Sequence, residues 1–449
     1  MKRLALAATL VAVAVFAQQP AQQPVASTTA DRRPPTADSS KAADSSAVPG
    51  QYIGVGSCVN SGCHGSTEPL NASRVLQNEF YTWLNNDRHA GAYNILLSDR
   101  SARIARNMRM KKKAWEEKVC LDCHTTNVPV SQIAVAVDPE DGIQCEVCHG
   151  PASGWRAGHT EEGWTHEQSV ARGMIDLRDL PVRAHTCHRC HLGNAEKEVD
   201  HELIASGHPV LAFELDNFTE SMPPHWSPGR DTHGVRAWAV GQVMKFRDSL
   251  RNLARHARGD EWPEFSEMSC YNCHHDLKGS EWRQQRGWPD RAGLPSWSPQ
   301  HWAMLRLLLA RASTGSRDQL DPLVRDIARG VSRMNDPAAL AATADRAAKI
   351  ADTLLPKINA LNWTDPDIRS LMTAIATDRD FILTSDVQAA EQTALALQSL
   401  SSALTRRNPR LLRSNMVRAI DALFDEVKNR DDYDPARFVE KLNAVKTSL

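Results

Sequence analysis

Five cysteine pairs, each followed directly by a histidine, constrain this 449-residue chain more than any other feature. They read CVNSGCH, CLDCH, CEVCH, CHRCH and CYNCH. Two such thiols can add to the vinyl groups of one porphyrin, and the adjacent imidazole then binds the iron, which is the attachment pattern of c-type haem. We expect five covalent haems, held by Cys58, Cys63, Cys120, Cys123, Cys145, Cys148, Cys187, Cys190, Cys270 and Cys273, with proximal ligands His64, His124, His149, His191 and His274.

Two other uses of paired cysteines explain the pattern less well. A disulfide framework suits an exported chain with an even number of cysteines, but it does not require a histidine after each pair. With 17 histidines in the chain, five chance placements have a probability on the order of one in ten million. Zinc could use Cys-Cys-His sets, but an adjacent Cys and His make an awkward tetrahedron, and five half-sites would be unusual. The first motif, with four residues between its cysteines, is the least regular.

The spacing of the motifs indicates how the haems are arranged. Five haems within the 217 residues from Cys58 to His274 leave about 43 residues for each, which is too few for separate domains. The haems are therefore expected to pack against one another. Close porphyrins in one protein envelope form a chain for electron tunnelling, so the spacing favours conduction over five separate gas-binding sites.

The remaining histidines are candidates for the second axial position of each iron, because neutral imidazole is a preferred haem ligand. His89 is the best candidate, since apolar and aromatic residues surround it at helical spacing. His159 follows a Gly-Pro-rich loop, and His201 and His208 lie seven residues apart on one predicted helical face. Weaker candidates lie beside motifs or in Pro-rich loops: His185, His188, His225, His233 and His275. His256, in a basic stretch, is expected at the surface.

The chain divides into four segments by texture. Residues 1–17 read as a bacterial export signal, with Lys2 and Arg3 before an apolar run, although an uncleaved anchor is the alternative. Residues 18–50 are rich in Gln, Pro, Ala and Ser and predict a disordered linker. Residues 51–299 predict a pentahaem domain of short helices and long loops around a haem core. Residues 300–449 have three-to-four-residue apolar spacing, which predicts an antiparallel helical bundle and a mainly α fold overall.

Four dipeptides predict helix starts in the last segment, because a capping side chain precedes a proline suited to the first helical turn. They are Asp336-Pro337, Asp365-Pro366, Asn408-Pro409 and Asp434-Pro435.

Charge bears on the partners. The chain has 53 basic and 54 acidic residues, a formal charge of −1, which disfavours a dedicated nucleic-acid-binding protein. Signal removal and five haems with ionised propionates would bring the charge to about −8 in the oxidised state. We expect redox partners that dock on this acidic protein through basic patches of their own, and we expect association to weaken with salt.

No later segment is apolar for long enough to predict a transmembrane helix in the mature chain. Oligomeric state is open.

Three segments resemble the multihaem cytochrome c-554 family: YIGVGSC with the cysteine-histidine that follows, TWLNNDRHAGA, and GIQCEVCHGPASGWRAGH. They look like its first haem segment, its distal-histidine helix and its third haem segment, and the resemblance covers about residues 51–191. It implies a mainly helical fold, haem pairs in alternating stacked and perpendicular contact, and periplasmic electron transfer. It also supports His89 and His159 as distal ligands.

The resemblance further implies one five-coordinate haem, attached at the second motif by Cys120 and Cys123 with His124. The chain departs from the family pattern in its long first motif, its fifth motif at Cys270 and about 150 further helical residues. Ligand pairing and the presence of an open iron site therefore stay open at this point.

The sequence thus favours an exported pentahaem electron carrier that relays electrons between a respiratory donor and a terminal reductase. The alternative is an oxidoreductase that acts on a small nitrogen or sulfur species at one five-coordinate haem. The chain has no CxxCK motif, so the lysine-ligated haem of pentahaem nitrite reductases is absent. A third possibility is a subunit of a larger complex that docks through the C-terminal bundle, although apolar stripes in such a bundle more often form its own core.

Overall fold

The structure is a computed structural model that describes residues 50–70, 75–135, 137–226, 234–260, 262–274, 294–408 and 414–449. The predicted signal peptide and all of the predicted linker except Gly50 lie outside the described residues. His233 and His275 also lie outside them.

The described part of the molecule is mainly helical, with 64% of the described residues in helices. Its described residues contain no β-strand, and only two isolated bridges occur among them, Tyr52 with Ile133 and Met268 with Trp297. This confirms the mainly α fold expected from the sequence. None of the described helices is both long and apolar enough to span a bilayer.

The region of the cysteine motifs consists of short helices separated by loops. Its α-helices are α1 (Glu79–Asn86), α2 (Ala92–Leu96), α3 (Asp99–Asn107), α4 (Lys118–His124), α5 (Cys145–His149), α6 (His166–Val170), α7 (Leu180–His191), α8 (His201–Ala205), α9 (Leu215–Ser221) and α10 (Gly234–Arg258). Short 3-10 helices lie at Val55–Ser57, Ala114–Glu116, Val130–Gln132, Pro139–Asp141, Gly158–Thr160, Phe265–Glu267 and Cys270–Asn272.

The C-terminal region is a bundle of longer helices. They are α11 (Gln300–Ala303), α12 (Leu305–Ala312), α13 (Thr314–Arg333), α14 (Pro337–Asn359), α15 (Asp365–Ala376), α16 (Arg379–Thr384), α17 (Val387–Arg407), α18 (Ser414–Val427) and α19 (Pro435–Ser448), with a 3-10 turn at Arg430–Asp432. Consecutive helices joined by short loops pack on each other, as α13 does on α14 and α18 on α19.

Side-chain caps explain where several of these helices begin. Asp336 accepts a hydrogen bond from the Ala339 N–H at the start of α14, and Asp434 caps α19 in the same way. The start predicted at Asp365 is shifted by one residue, because the Thr364 hydroxyl is the cap of α15. Pro409 lies outside the described residues, and Asn408 follows the last residue of α17.

One apolar core connects the two regions. Helix α10 is buried around most of its circumference, with Trp238 and Phe246 fully buried. It packs along α14 and also against α7, α9 and α17. The same core extends from Leu180 in α7 to Val445 in α19. The division predicted at residue 300 therefore marks a change of sequence texture within a shared core, and as a domain boundary it stays a prediction.

Candidate haem-binding site

Each cysteine motif occupies a helical turn or follows one. The second, third and fourth motifs lie at the C-terminal ends of α4, α5 and α7, and each of these helices ends at its motif histidine. A helical turn places the two cysteines of a C-x-x-C pair on one face. All ten cysteines are described, and none is in a disulfide.

Burial raises the pKa of several cysteine thiols, and two thiols of different motifs are in contact. Burial raises the pKa of Cys58, of Cys120 and of Cys148 to about 11, which keeps these thiols protonated at neutral pH. The described residues contain no group of three or more His, Cys, Asp or Glu side chains arranged to hold a bare metal ion. The thiols of Cys123 and Cys190 are in hydrogen-bond contact, which brings the second motif against the fourth.

Every motif histidine faces one other histidine. The separations between ring centroids fall in a narrow range: 6.2 Å for His64 and His159, 6.5 Å for His124 and His208, 6.3 Å for His149 and His225, 6.1 Å for His191 and His89, and 6.4 Å for His274 and His201. Two imidazoles on opposite faces of one metal, each with a bond of about 2.0 Å, would have centroids about 6.3 Å apart. All five pairs are spaced as two axial ligands of one iron would be.

Hydrogen bonds orient several of these rings. The Nδ1 atom of His64 is 3.0 Å from Glu79 Oε2, and that of His89 is 2.9 Å from Asp87 Oδ1. Backbone carbonyls serve the same purpose elsewhere: Nδ1 of His124 lies 3.0 Å from the Ala92 oxygen. An Nδ1 that donates to an acceptor fixes the tautomer that leaves Nε2 free as a ligand.

The same arrangement holds for two more members of the ring pairs. Nδ1 of His208 lies 2.8 Å from the Pro209 oxygen, and Nδ1 of His159 hydrogen-bonds the Arg156 oxygen. These contacts involve the polypeptide backbone within three residues of each histidine. The local chain therefore orients these two distal rings.

Burial keeps two motif imidazoles neutral. It lowers the pKa of His149 to about 4, and it lowers that of His191 to about 4 as well. Burial also lowers the pKa of His89, but the hydrogen bond and charge of Asp87 outweigh it and the net shift is upward. The ring of His191 also packs on Phe213, with centroids 5.1 Å apart.

The four distal histidines selected from the sequence, His89, His159, His201 and His208, all lie opposite a motif histidine. His225, one of the weaker candidates from the sequence, faces His149. Its setting in MPPHW contains no pattern that predicts a haem ligand. Five irons need five distal ligands and only four are selected from the sequence, so the count alone indicates that one more histidine is required.

The other weaker candidates have different surroundings. His185 is exposed. His188 is buried, and its Nδ1 atom lies 2.8 Å from Asp248 Oδ2. The expectation that His256 lies at the surface is wrong, because its side chain is only 11% exposed and contacts Glu198 and Glu267.

Two buried polar residues that sequence reasoning missed join the first motif to the third. The Glu146 carboxylate accepts hydrogen bonds from the backbone N–H groups of Ile53, Gly54 and Ala152. The side-chain oxygen of Gln144 accepts one from Val55 N, at 2.9 Å. These residues lie before and inside the CEVCH motif, and nothing local distinguishes them from solvent-exposed polar residues.

The fifth motif lies against the C-terminal bundle. Cys270 Sγ is 3.9 Å from Gln388 Oε1, near the start of α17. Ser298 donates a 2.8 Å hydrogen bond to Asp386, the capping residue of the same helix. Helix α17 therefore forms part of the surroundings of the fifth motif.

Comparison with known proteins gives one family. Residues 59–150 match the family model described as cytochrome c554 and c-prime. This segment contains the second and third motifs, Cys63 and His64 of the first, and His89. No curated protein and no solved structure matches the chain. Over residues 59–150, about a fifth of the chain, the protein is therefore similar to the cytochrome c554 and c-prime family.

Proposed function

We propose that this protein is an exported pentahaem electron carrier in which every iron has two histidine ligands. The observation that carries the proposal is the set of five histidine pairs with ring centroids 6.1–6.5 Å apart. Each pair combines one motif histidine with one histidine from elsewhere in the chain. The proximal ligands are His64, His124, His149, His191 and His274, and their partners are His159, His208, His225, His89 and His201.

Ligation at the second motif separates a carrier from an enzyme. The family resemblance implies an open iron at His124, where a small nitrogen or sulfur species could bind. His208 lies on the far side of that position, and its Nδ1 is already used by the Pro209 oxygen. Its Nε2 is therefore available to the iron, which supports a six-coordinate haem and disfavours the reductase alternative. Haem supplies one-electron transfer when bound, and two imidazole ligands leave no position for substrate.

Contacts between motifs support a relay. Cys123 of the second motif touches Cys190 of the fourth. Besides burial, which is the larger effect, the thiol of Cys148 in the third motif raises the pKa of Cys187 in the fourth. Burial also has the largest effect on the pKa of Cys145 in the third motif, and the Cys58 thiol of the first motif raises this pKa further. These neighbours support the order first, third, fourth, second along the chain of haems.

The fifth motif joins this order through the distal ligands. His201 and His208 are the proposed partners of the fifth and second motif histidines, and only one short helix, α8, and a turn separate them. The fifth haem would thus lie next to the second, at the end of the relay that faces the C-terminal bundle.

Three measurements on the full chain, matured in a host that attaches haem c, test the proposal. Intact mass should show five added haem groups and loss of the predicted signal segment from the exported protein. Electron paramagnetic resonance of the oxidised protein should show low-spin iron alone, and carbon monoxide should leave the reduced spectrum unchanged. A high-spin signal that nitrite or hydroxylamine removes would overturn the carrier proposal, and fewer than five haem groups would overturn the haem count.

A further inference from the structure

We propose that a basic surface beside the second motif docks an acidic redox protein that exchanges electrons with the haem attached there. This inference rests on the proposed electron-carrier function and names the docking site and the chemistry of one partner. The basic surface consists of Arg103, Arg106, Arg109, Lys111, Lys112, Lys113 and Lys118.

The charge of this segment contrasts with that of the whole chain. Residues 100–118 contain eight basic and two acidic side chains, a net charge of +6. The chain as a whole carries −1, so the other residues together carry −7. A concentrated positive field on an otherwise acidic protein can orient an approaching partner, which net charge alone cannot do.

The positive side chains are exposed and largely uncompensated. All seven residues of the basic surface are exposed. In the described part of the chain, only Lys118 among them forms an ion pair, with Asp122. Glu116 and Glu117 accept hydrogen bonds from the backbone N–H groups of Lys113 and Lys112, so they cap the turn.

The local fold keeps the basic side chains together. Arg103 and Arg106 are three residues apart on α3, on the face opposite the buried Ile104 and Ala105. The helix is closed by Arg109, whose φ of 54° is in the left-handed region, and by the hydrogen bond from Met110 N to the Ala105 oxygen. Lys111, Lys112 and Lys113 follow this turn directly.

The underside of the basic surface packs on the second haem motif. Ala105 and Ala114 form one apolar cluster with Leu96, and Cys120 and Leu121 pack against it. Helix α2, which supplies Leu96, also supplies the Ala92 oxygen that hydrogen-bonds His124. A protein docked on the basic surface would therefore lie beside the second haem, where a short tunnelling distance is available.

The surface suits an acidic protein better than a lipid bilayer. Amphipathic helices that bind membranes insert large apolar side chains below the headgroups. Ile104, the large apolar residue of α3, is 8% exposed and faces the protein interior. The contact is then mainly electrostatic, which fits a transient redox encounter with carboxylate-rich surfaces and predicts strong dependence on ionic strength.

The test compares two charge-matched variants of the full haem-loaded protein. The first carries Arg103→Gln, Arg106→Gln, Lys111→Gln, Lys112→Gln and Lys113→Gln. The control removes five exposed positive charges from the bundle: Arg325→Gln, Arg333→Gln, Arg346→Gln, Lys349→Gln and Lys357→Gln. Stopped-flow spectroscopy measures the bimolecular rate of reduction by a reduced flavodoxin, an acidic one-electron donor, as salt is raised. Binding to phosphatidylglycerol vesicles is measured in parallel.

We expect the first variant to react about tenfold more slowly at low salt and to lose most of the salt dependence, while the control stays near the unsubstituted protein. Equal losses in both variants would mean that net charge alone acts, and would overturn the proposal. Loss of vesicle binding without a slower rate would identify a membrane contact instead. A shifted haem reduction potential without a slower rate would assign these residues to the protein's own propionates.

Failure of the electron-carrier proposal has a different signature. A high-spin second haem in the unsubstituted protein would overturn that proposal, whatever the rates of the two charge variants.

Discussion

His208 lies opposite His124, with ring centroids 6.5 Å apart and ring planes at 84°. The short helix α8 and the turn after it carry His208 to this position, and Arg100 holds the turn by donating hydrogen bonds to the Gly207 oxygen at 2.8 and 3.0 Å. An open iron at the second motif would give the protein a substrate site. If His208 binds that iron, the haem is six-coordinate and can only transfer electrons.

Replacing His208 should convert the second haem to a five-coordinate, high-spin centre. In His208→Ala we expect one haem in five to become high-spin and to bind carbon monoxide after reduction, because no other imidazole faces His124 in the described residues. Electron paramagnetic resonance and the carbon monoxide difference spectrum report the change. The matched control is His185→Ala, which removes an exposed histidine and should leave all five haems low-spin. A fully low-spin His208→Ala protein would remove His208 from the ligand set.

His225 gives a second and independent test of the pairing. The His225→Ala variant should also produce one high-spin haem, this time at the third motif, because His225 faces His149 at 6.3 Å. Combining His208→Ala with His225→Ala should give two high-spin haems of the five, since each histidine serves a different iron. Two variants that change the same single haem would contradict the proposed pairing.

Sequence reasoning can address chemistry that is local in the chain, and it cannot address contacts that depend on the tertiary fold. The motif residues are adjacent in the chain, so the sequence alone predicts them, and His89 is predicted because apolar residues surround it at helical spacing. His225 reaches His149 from 76 positions further along the chain, out of a Pro-rich loop. No local pattern in the sequence predicts that contact.

Long-range packing escaped prediction for the same reason. Helix α10 stands before residue 300, among the haem motifs, but its buried Trp238 and Phe246 share a core with the C-terminal bundle. His256, at the end of that helix, lies in a basic stretch that suggested solvent exposure. Its two carboxylate neighbours come from other segments, which turns a charged sequence into a partly buried ion cluster.

The His256 cluster should stabilise the surroundings of the fifth motif. His256 Nδ1 is 2.8 Å from Glu267 Oε1, its Nε2 contacts Glu198, and Arg255 donates to both oxygens of Glu198 at 3.0 and 3.1 Å. Glu198 is three residues before His201, and Glu267 is three residues before Cys270. We expect His256→Gln to lower the free energy of unfolding by about 2 kcal/mol, because it removes charged hydrogen bonds in a partly buried site.

The same cluster predicts a pH dependence. Burial opposes charge on His256, but the hydrogen bonds and charges of Glu198 and Glu267 outweigh it and raise its pKa to about 9. A raised pKa means that the charged histidine stabilises the folded state fully below its ordinary value of about 6.5. That stability is lost as pH rises through about 9. Thermal unfolding between pH 6 and 10 should show this loss in the unsubstituted protein and not in His256→Gln.

The control for this loss is His166→Gln. It removes a histidine whose Nε2 is 2.9 Å from Asp176 and which lies on α6. This variant should keep the alkaline loss of stability. If it behaves like His256→Gln, the dependence does not arise in the cluster beside the fifth motif.

Glu146 should be a main determinant of the contact between the first and third motifs. Its carboxylate is 2% exposed and accepts backbone hydrogen bonds at 3.0 Å from Ile53, 2.8 Å from Gly54 and 2.7 Å from Ala152. Glu146→Ala leaves these buried donors without an acceptor, so we expect the free energy of unfolding to fall by about 3 kcal/mol. Glu146→Gln keeps one carbonyl oxygen and should lose about half as much. Guanidinium unfolding followed by far-ultraviolet circular dichroism measures both, with the exposed Glu140→Ala as the control. Equal stability of the alanine variant and the control would show that the Glu146 carboxylate does not hold the two motifs together.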